Sequence, residues 1–221
     1  MSKHVLVTGA TGYVGGRLVT RLLEEGFRVR VMARDPERLR DYPWITQVET
    51  VKADAEVADT LPPALVDIDV AFYMLHSLSE HEGFENIEAR MAANFGAAAK
   101  AAGVKRIVYL GGITPPNTEL STHLESRRTT GALLKDSGVP TTELRAAVII
   151  GSGSASFEML RYLTERLPFM ITPRWLNNRV QPIAIRDALH YLVKAAQEEG
   201  TASHVADIGG PDRKSTRLNS S

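Results

Sequence analysis

Cysteine is absent from the 221-residue sequence, which excludes disulfide bonds, thiolate metal sites and cysteine nucleophiles. The 26 basic and 26 acidic side chains balance, so no charge excess indicates a nucleic-acid or anionic-membrane partner. No apolar run approaches the length of a membrane-spanning helix, and the run after His4 is too short for an export signal. These absences predict a cytoplasmic protein with no metal site, no membrane segment and no nucleic-acid partner.

The most informative stretch that is present is the apolar run 5–8, which leads into glycines at positions 9, 12 and 15 and then into a helical pattern. A strand, tight turn and helix start bind phosphate well, because the first N–H groups of the helix lack partners and the helix dipole is positive there. The first glycine permits the turn, the second admits a pyrophosphate, and the third lets the helix pack on the strand. A plain structural turn is the alternative. The predicted cofactor-binding residues of this stretch are Gly9, Thr11, Gly12, Tyr13, Val14 and Gly15.

The second predicted strand, 27–33, is followed by Arg34. In dinucleotide-binding folds, the residue at the tip of this strand faces the adenosine ribose. An arginine at this place accommodates a 2′-phosphate, whereas an acidic residue holds the 2′-hydroxyl group. Arg34 comes first, and Asp35 with Pro36 fits a capped helix start. We therefore expect NADP(H) to be the favoured cofactor, with NAD(H) left open by Asp35 and a solvated loop charge as the alternative role of Arg34.

Two further polar residues follow predicted strands and are expected at the carboxyl edge of the sheet. Asp54 follows the strand 47–51, where the adenine would lie, and a helix cap is its alternative role. His76 follows the strand 68–74, whose continuous apolar character is typical of a parallel strand covered on both faces. We expect His76 to line the cofactor site, with an ordinary exposed loop histidine as the alternative.

Strands and helices alternate along the chain, which predicts an α/β fold with a doubly wound parallel sheet in a single domain. Later strands are expected at 106–112, 141–150, 180–183 and 204–208, and later helices at 119–137, 155–167 and 185–197. We expect residues 1–212 to form a Rossmann domain. Residues 213–221 are polar and aperiodic, so they are predicted to be a disordered tail. Their composition resembles that of artefactual sequence appended to a gene fragment.

A long helix is predicted to begin after the loop 78–83 and to end at Gly103. One of its faces is apolar and is interpreted as core packing rather than as part of a cofactor site; its members are Ile87, Met91, Phe95, Ala98 and Ala102. Asn94 lies on the same helix, either as a buried amide that needs partners or as a partly exposed polar residue.

Six segments carry a resemblance to a known family: residues 8–15, 33–36, 94–96, 137–145, 181–183 and 208–211. In these segments the chain resembles the atypical short-chain dehydrogenase/reductase family, in the branch of NmrA-like regulators and relatives of the 39 kDa accessory subunit of respiratory complex I. The resemblance implies an NAD(P)-binding Rossmann fold that extends to Asp212. It also implies a further C-terminal domain, as in bacterial NAD(P)H-binding relatives, which is expected to be missing here.

The sequence departs from the family where redox chemistry takes place. Family members that reduce carbonyls use a serine at the tip of the fifth strand, and a tyrosine followed four residues later by a lysine. Gly112 occupies the place of the serine, and His123 and Arg127 stand where the tyrosine and lysine would fall. Arg127 can bind the cofactor ribose and supply positive charge, while His123 can donate a proton near neutral pH. A solvated helix face is the alternative interpretation of this pair.

The resemblance therefore implies an NAD(P)H-binding protein that reduces a small carbonyl or quinone-like substrate. The alternative is a non-catalytic NADPH sensor or accessory subunit that acts through a protein partner. The missing tyrosine and lysine leave open whether the chain is an enzyme. Its expected ligands are the dinucleotide and a small-molecule substrate of unknown identity.

Overall fold

The computed structural model describes residues 2–76, 84–114, 121–154, 158, 161–162, 179–210 and 214–215. The strands are β1 (His4–Thr8), β2 (Arg28–Ala33), β3 (Glu49–Lys52), β4 (Val70–Tyr73), β5 (Arg106–Gly112), β6 (Thr141–Ala146), β7 (Ile149–Ile150), β8 (Arg179–Val180), β9 (Ile183–Ala184), β10 (His204–Ile208) and β11 (Lys214–Ser215). The helices are α1 (Tyr13–Glu24), α2 (Pro62–Leu65), α3 (Phe84–Ala101), α4 (Thr122–Asp136) and α5 (Ile185–Gln197). Within these described ranges, no helix combines the length and the apolar character that crossing a membrane requires.

The main sheet has seven strands in the order β10-β6-β5-β4-β1-β2-β3. Its pairs are parallel, with Val5 of β1 opposite both Val29 of β2 and Val70 of β4. Parallel neighbours need long crossover connections, and helices between the strands supply them. The order steps outward from β1 in both directions, which confirms the predicted doubly wound α/β fold. The carboxyl ends of β1, β2, β4 and β5 consequently lie at one edge of the sheet.

Each face of this sheet packs against its own set of helices, because side chains alternate along every strand. Val5 points into a cluster that includes Leu18 of α1 and Leu192 of α5. Leu6, the next residue, belongs to a cluster on the opposite face that includes Phe95 of α3. Burial of an aliphatic side chain of this size contributes about 1.5–3 kcal/mol. These two apolar layers hold the carboxyl edge of the sheet rigid.

The prediction of one continuous strand over residues 141–150 is wrong in its second half. β6 ends at Ala146, which pairs with Gly112 of β5 and Ile208 of β10 at the ends of those strands. Beyond this point neither neighbour continues, so the chain leaves the sheet, and β7 pairs instead with β9 in a separate parallel pair. The strand predicted at 180–183 is likewise divided, because Pro182 has no N–H to donate to a continuous ladder.

Helix α4 begins at Thr122, where the Ser121 hydroxyl accepts a hydrogen bond from the Leu124 N–H at 3.4 Å. Residues 119–120 of the predicted helix, and most of the helix predicted at 155–167, lie outside the described residues. Lys214–Ser215 of the predicted tail pairs antiparallel with Arg179–Val180, so these two residues have regular structure that the sequence does not predict.

Candidate functional site

A cleft of about 800 Å³ opens at the carboxyl edge of β1, β2, β3 and β4. This volume falls in the range of sites that bury a cofactor or another small molecule. Its wall contains six of the nine residues predicted for the cofactor site, four of them polar or charged, together with further charged residues. The polar and charged residues of the wall are Thr11, Arg34, Asp35, Arg38, Asp54, Glu56 and His76, beside the glycines at 9 and 12.

The glycine turn at the base of the cleft is tightly built. Gly9 has a φ of +64°, and a Cβ atom there would stand 2.6 Å from the Met74 carbonyl oxygen. Gly15 is held against the backbone of Gly9 and does not line the cleft. Both glycines are therefore required by the fold itself, as the sequence predicts for the turn and for helix packing.

Gly12 differs, because its own surroundings require a glycine much less. Its φ is −81°, and apart from its chain neighbours and its own helix, a Cβ atom would meet only the Gly9 carbonyl oxygen, at 3.2 Å. Gly12 is the N-cap of α1, and within the described residues no side chain caps this end. The helix N-terminus thus begins at a cleft residue without a side chain, which fits close approach of a pyrophosphate to its first N–H groups.

Two guanidinium groups lie in the cleft wall beyond the carboxyl end of β2. Arg34 and Arg38 are both exposed, and within the described part of the chain neither side chain forms an ion pair or a hydrogen bond. The neighbouring Asp35 carboxylate accepts a hydrogen bond from the Glu37 N–H at 3.2 Å, as the N-cap of the short helix Pro36–Leu39. Sequence reasoning missed Arg38, although its four-residue spacing from Arg34 across Pro36 is a signal for one common face.

Asp54 lines the cleft, but it does not cap a helix as considered above: the next short helix, Ala58–Thr60, has Val57 as its N-cap and no side-chain cap. Asp54 Oδ1 accepts a hydrogen bond from the Glu56 N–H at 3.0 Å. Asn94 of α3 donates from Nδ2 to the carbonyl oxygens of Ala55 at 3.0 Å and Glu56 at 3.3 Å. The partly buried amide therefore has partners, and it fixes this wall of the cleft against α3.

Tyr13 and Val14 of the predicted cofactor set do not line the cleft. Val14 packs against the apolar core on the α1 side of the sheet. The Tyr13 ring lies under the Arg17 guanidinium at 4.0 Å, and its buried hydroxyl has no hydrogen-bond partner among the described residues. Any contribution of these two residues to phosphate binding therefore comes from their backbone N–H groups.

The apolar face assigned to α3 is divided between two roles, which corrects the sequence interpretation. Phe95 is fully buried in the core, but Ile87 and Met91 line the cleft, and Ala102 is exposed beyond the end of α3. The reason is that α3 extends past the carboxyl end of β4. Its first turns therefore overhang the cleft rather than the sheet, and they supply an apolar wall.

His76 lies just beyond β4, in the wall of the cleft. The residue is solvent-exposed, yet the protein atoms packed around its ring lower its pKa by desolvation, and the Arg127 cation lowers this pKa further. Glu88 and the Met74 backbone act in the opposite direction. The imidazole is thus favoured in its neutral form, which can both donate and accept a hydrogen bond.

The tip of β5 contains no hydroxyl group, and α4 packs directly on it. A Cβ atom on Gly112 would stand 3.0 Å from Leu124 Cδ2 and 3.6 Å from Arg127 Cδ. The Tyr109 hydroxyl donates to the Arg127 carbonyl oxygen at 3.1 Å, which ties this turn of α4 to β5. Arg127 is half-buried and His123 is exposed one turn earlier, and neither lines the cleft.

A smaller cavity of about 360 Å³ lies along β10 and α5. Two of its polar side chains lie close together, since His204 Nε2 is 3.5 Å from Glu198 Oε1. It lacks the glycine turn and the open helix N-terminus, so the larger cleft is the candidate site.

Comparison with known proteins agrees with this geometry. Residues 9–157 match the model of a family described as NAD(P)H-binding. A (4-alkanoyl-5-oxo-2,5-dihydrofuran-3-yl)methyl phosphate reductase of Streptomyces griseus is 35% identical over 142 residues, which cover 64% of this chain and 46% of the relative. A ceramide reductase of Caulobacter vibrioides is 27% identical over 192 residues, which cover 86% of this chain and 59% of the relative. The chain thus spans about half the length of these curated relatives.

Solved structures share the fold. MoeE5 in complex with UDP-glucose and NAD has a TM-score of 0.79 at 20% identity, over 96% of this chain and 78% of its own. The Bordetella bronchiseptica enzyme WbmG in complex with NAD also has a TM-score of 0.79, at 17% identity, over 98% of this chain and 75% of its own. With its seven-stranded parallel sheet and its glycine-turn cleft, the chain belongs to the NAD(P)H-binding family and is an atypical short-chain dehydrogenase/reductase-like protein with a Rossmann fold.

Proposed function

We propose that this chain is an NADP(H)-dependent reductase of a small carbonyl or quinone-like compound. One observation carries the proposal. A single cleft contains the N-terminus of α1 at Gly12, without a side-chain cap, and the guanidinium groups of Arg34 and Arg38, without an ion-pair partner among the residues that the structure describes. The first suits a pyrophosphate, and the second suits a 2′-phosphate. NADH carries a hydroxyl group at this position, so it offers the two arginines no phosphate to bind.

The residues of the cleft fit the whole cofactor. The α1 N–H groups would hold the pyrophosphate, Arg34 and Arg38 would hold the 2′-phosphate, and Asp54 would lie beside the adenine; of these, Arg34, Arg38 and Asp54 line the cleft together with Gly12. Ile87 and Met91 provide an apolar wall for a planar ring. Asp35 contributes less to a 2′-hydroxyl, because one of its carboxylate oxygens already accepts the Glu37 N–H.

The bound cofactor supplies a hydride, and the chain must supply the proton and the orientation. We assign the proton to His123 and the positive charge to Arg127, the pair at the tyrosine and lysine positions of α4. His76, favoured as a neutral imidazole at the edge of the cleft, can donate a hydrogen bond to the same region. Relatives whose names describe reductases of a phosphate ester, of ceramide and of a dihydroflavonol support reduction as the class of reaction.

A second function is favoured by one observation, the occupation of the β5 tip by Leu124 where the family's serine hydroxyl would lie. Without that hydroxyl a carbonyl has fewer groups to hold it within reach of a hydride. The alternative is therefore a cytoplasmic NADPH sensor that reports the redox state of the cofactor through a protein partner.

Calorimetric titration with NADPH and NADH, followed by a screen for NADPH consumption, tests the proposal. A reductase binds NADPH more tightly and oxidises it with at least one aldehyde, ketone or quinone. Tight binding without turnover on any of them supports the sensor. Failure to bind either dinucleotide contradicts both functions.

A further inference from the structure

Arg127 is a half-buried cation near the tip of β5, and its charge has no ion-pair partner among the described residues. Within the described residues, its guanidinium group forms no ion pair and donates no hydrogen bond. The next residue on α4, Arg128, is exposed and pairs with Glu125 at 2.5 Å. Of these two neighbouring arginines, the exposed Arg128 therefore has an ion pair, whereas the half-buried Arg127 has none within the part of the chain that the structure describes.

The backbone of Arg127 is firmly positioned. Its carbonyl oxygen accepts the Tyr109 hydroxyl at 3.1 Å, and its Cδ packs 3.6 Å from the Cβ position of Gly112. The side chain therefore starts above the tip of β5, the strand next to β4. His76 lines the cleft, whereas Arg127 does not, although its charge lowers the pKa of His76.

Two buried carboxylates whose charges act on the Tyr109 hydroxyl together with that of Arg127 are already engaged. Glu88 is buried and accepts a hydrogen bond from the Ser126 hydroxyl. Glu143 is buried between Lys135 at 2.7 Å and Arg145 at 2.8 Å. Neither lies within ion-pair distance of Arg127. An unpaired guanidinium in a partly desolvated place gains most from an anion that brings two acceptor oxygens in one plane.

We propose that Arg127 binds the anionic group, a carboxylate or a phosphate, of the substrate. The statement that the anion belongs to a substrate rests on the proposed reductase function. The anion site itself is inferred from the geometry around Arg127 alone. It also explains how a carbonyl is held at a β5 tip that lacks a hydroxyl group. One bidentate ion pair orients the substrate next to the nicotinamide end, in place of the serine.

The test uses oxalate as a carboxylate probe and inorganic phosphate as a phosphate probe. Each is titrated by calorimetry into the protein alone and into the protein saturated with NADPH. We expect one of the two probes to bind the wild-type chain, and the one that binds identifies the anion. Arg127→Ala should weaken that binding by about tenfold or more, the scale of a lost charge-assisted hydrogen bond, and Arg127→Lys should retain part of it.

Arg128→Ala is the matched control, because it removes the same charge from the adjacent position on the solvent side. It should change anion affinity by no more than about twofold. If Arg127→Ala fails to fold, Arg127→Gln keeps a similar stem without the charge and answers the same question.

Two results overturn the inference. One is the absence of any oxalate or phosphate binding to the wild-type protein. The other is a tenfold loss of NADPH affinity in Arg127→Ala but not in Arg128→Ala, which would assign the arginine to the cofactor. If NADPH itself fails to bind the wild-type chain, the proposed function falls, and the titration into the protein alone still decides the anion site.

Discussion

Helix α1 crosses the glycine turn so closely that a Cβ atom on Gly15 would stand 2.8 Å from the carbonyl carbon of Gly9. Backbone would have to move to make room. We therefore expect Gly15→Ala to lower the free energy of unfolding by about 1–3 kcal/mol, measured by urea denaturation. Gly12→Ala, whose Cβ atom would meet only the Gly9 carbonyl oxygen at 3.2 Å, should cost less. Equal losses in the two variants would contradict this distinction between a packing glycine and a binding glycine.

Gly12 is expected to matter for the cofactor instead. Gly12→Asp places a carboxylate where the pyrophosphate lies, so steric exclusion and like-charge repulsion act together. NADPH binding, followed by calorimetry, should be lost while the circular dichroism spectrum stays unchanged. Thr20→Asp adds the same charge on the exposed face of the same helix and should leave NADPH affinity intact. Wild-type affinity in Gly12→Asp would remove the cofactor site from this turn.

The preference for NADPH over NADH is expected to depend on the two unpaired guanidinium groups. Arg34→Ala and Arg38→Ala should each narrow the gap between the two affinities by about 1–3 kcal/mol and leave NADH affinity nearly unchanged. Arg40→Ala is the control, since Arg40 is exposed outside the cleft, 3.6 Å from the Asp41 carboxylate. Equal affinities of the wild-type chain for NADPH and NADH would show that neither arginine reads the 2′-phosphate.

His4 and His76 should take up a proton at a lower pH than ordinary histidines do. The pKa of each is below the usual value of 6.5, with desolvation as the largest cause; Arg30 and Arg28 also lower the pKa of His4, while Glu49 and the Asp67 backbone oppose them. Between the folded pKa and 6.5 the unfolded chain binds protons that the folded chain does not. These two histidines therefore leave the free energy of unfolding undiminished above pH 6.5, and they lower it as the pH falls through this window.

Histidine NMR titration and urea denaturation at several pH values check this expectation. His4→Asn keeps a donor for the Asp67 carbonyl oxygen, which lies 3.0 Å from Nδ1, and should flatten the slope of stability against pH. An imidazole of His4 or His76 that titrates above 6.5 would show that the surrounding charges outweigh desolvation.

The role of His123 separates the reductase from the sensor. If His123 donates the proton, His123→Ala should lower kcat by roughly 10²- to 10⁴-fold, the range typical of a general acid, with NADPH affinity nearly intact. His190→Ala is the control, because His190 is an exposed histidine on α5 that does not line the cleft. Brisk reduction that is unaffected by His123→Ala would move the proton donor to His76 or a bound water.

The sequence by itself determined the class of fold and the position of the glycine turn before α1. Apolar strands alternate with amphipathic helices, and local chemistry marks their ends, as with the Asp35 cap before Pro36. β5, α5 and β10 have the predicted bounds of 106–112, 185–197 and 204–208. These features depend on residues that are close in the chain, so periodicity and capping reveal them.

Only the tertiary structure decided which distant residues meet. Leu124 lies at the Gly112 tip, Asn94 donates to the Ala55 carbonyl oxygen in the cleft wall, and the charge of Arg127 lowers the pKa of His76. β6 ends where its neighbours end, although its sequence continues apolar to Ile150. The physical reason is that helix packing and strand length set these contacts, and they depend on the whole fold rather than on any local pattern.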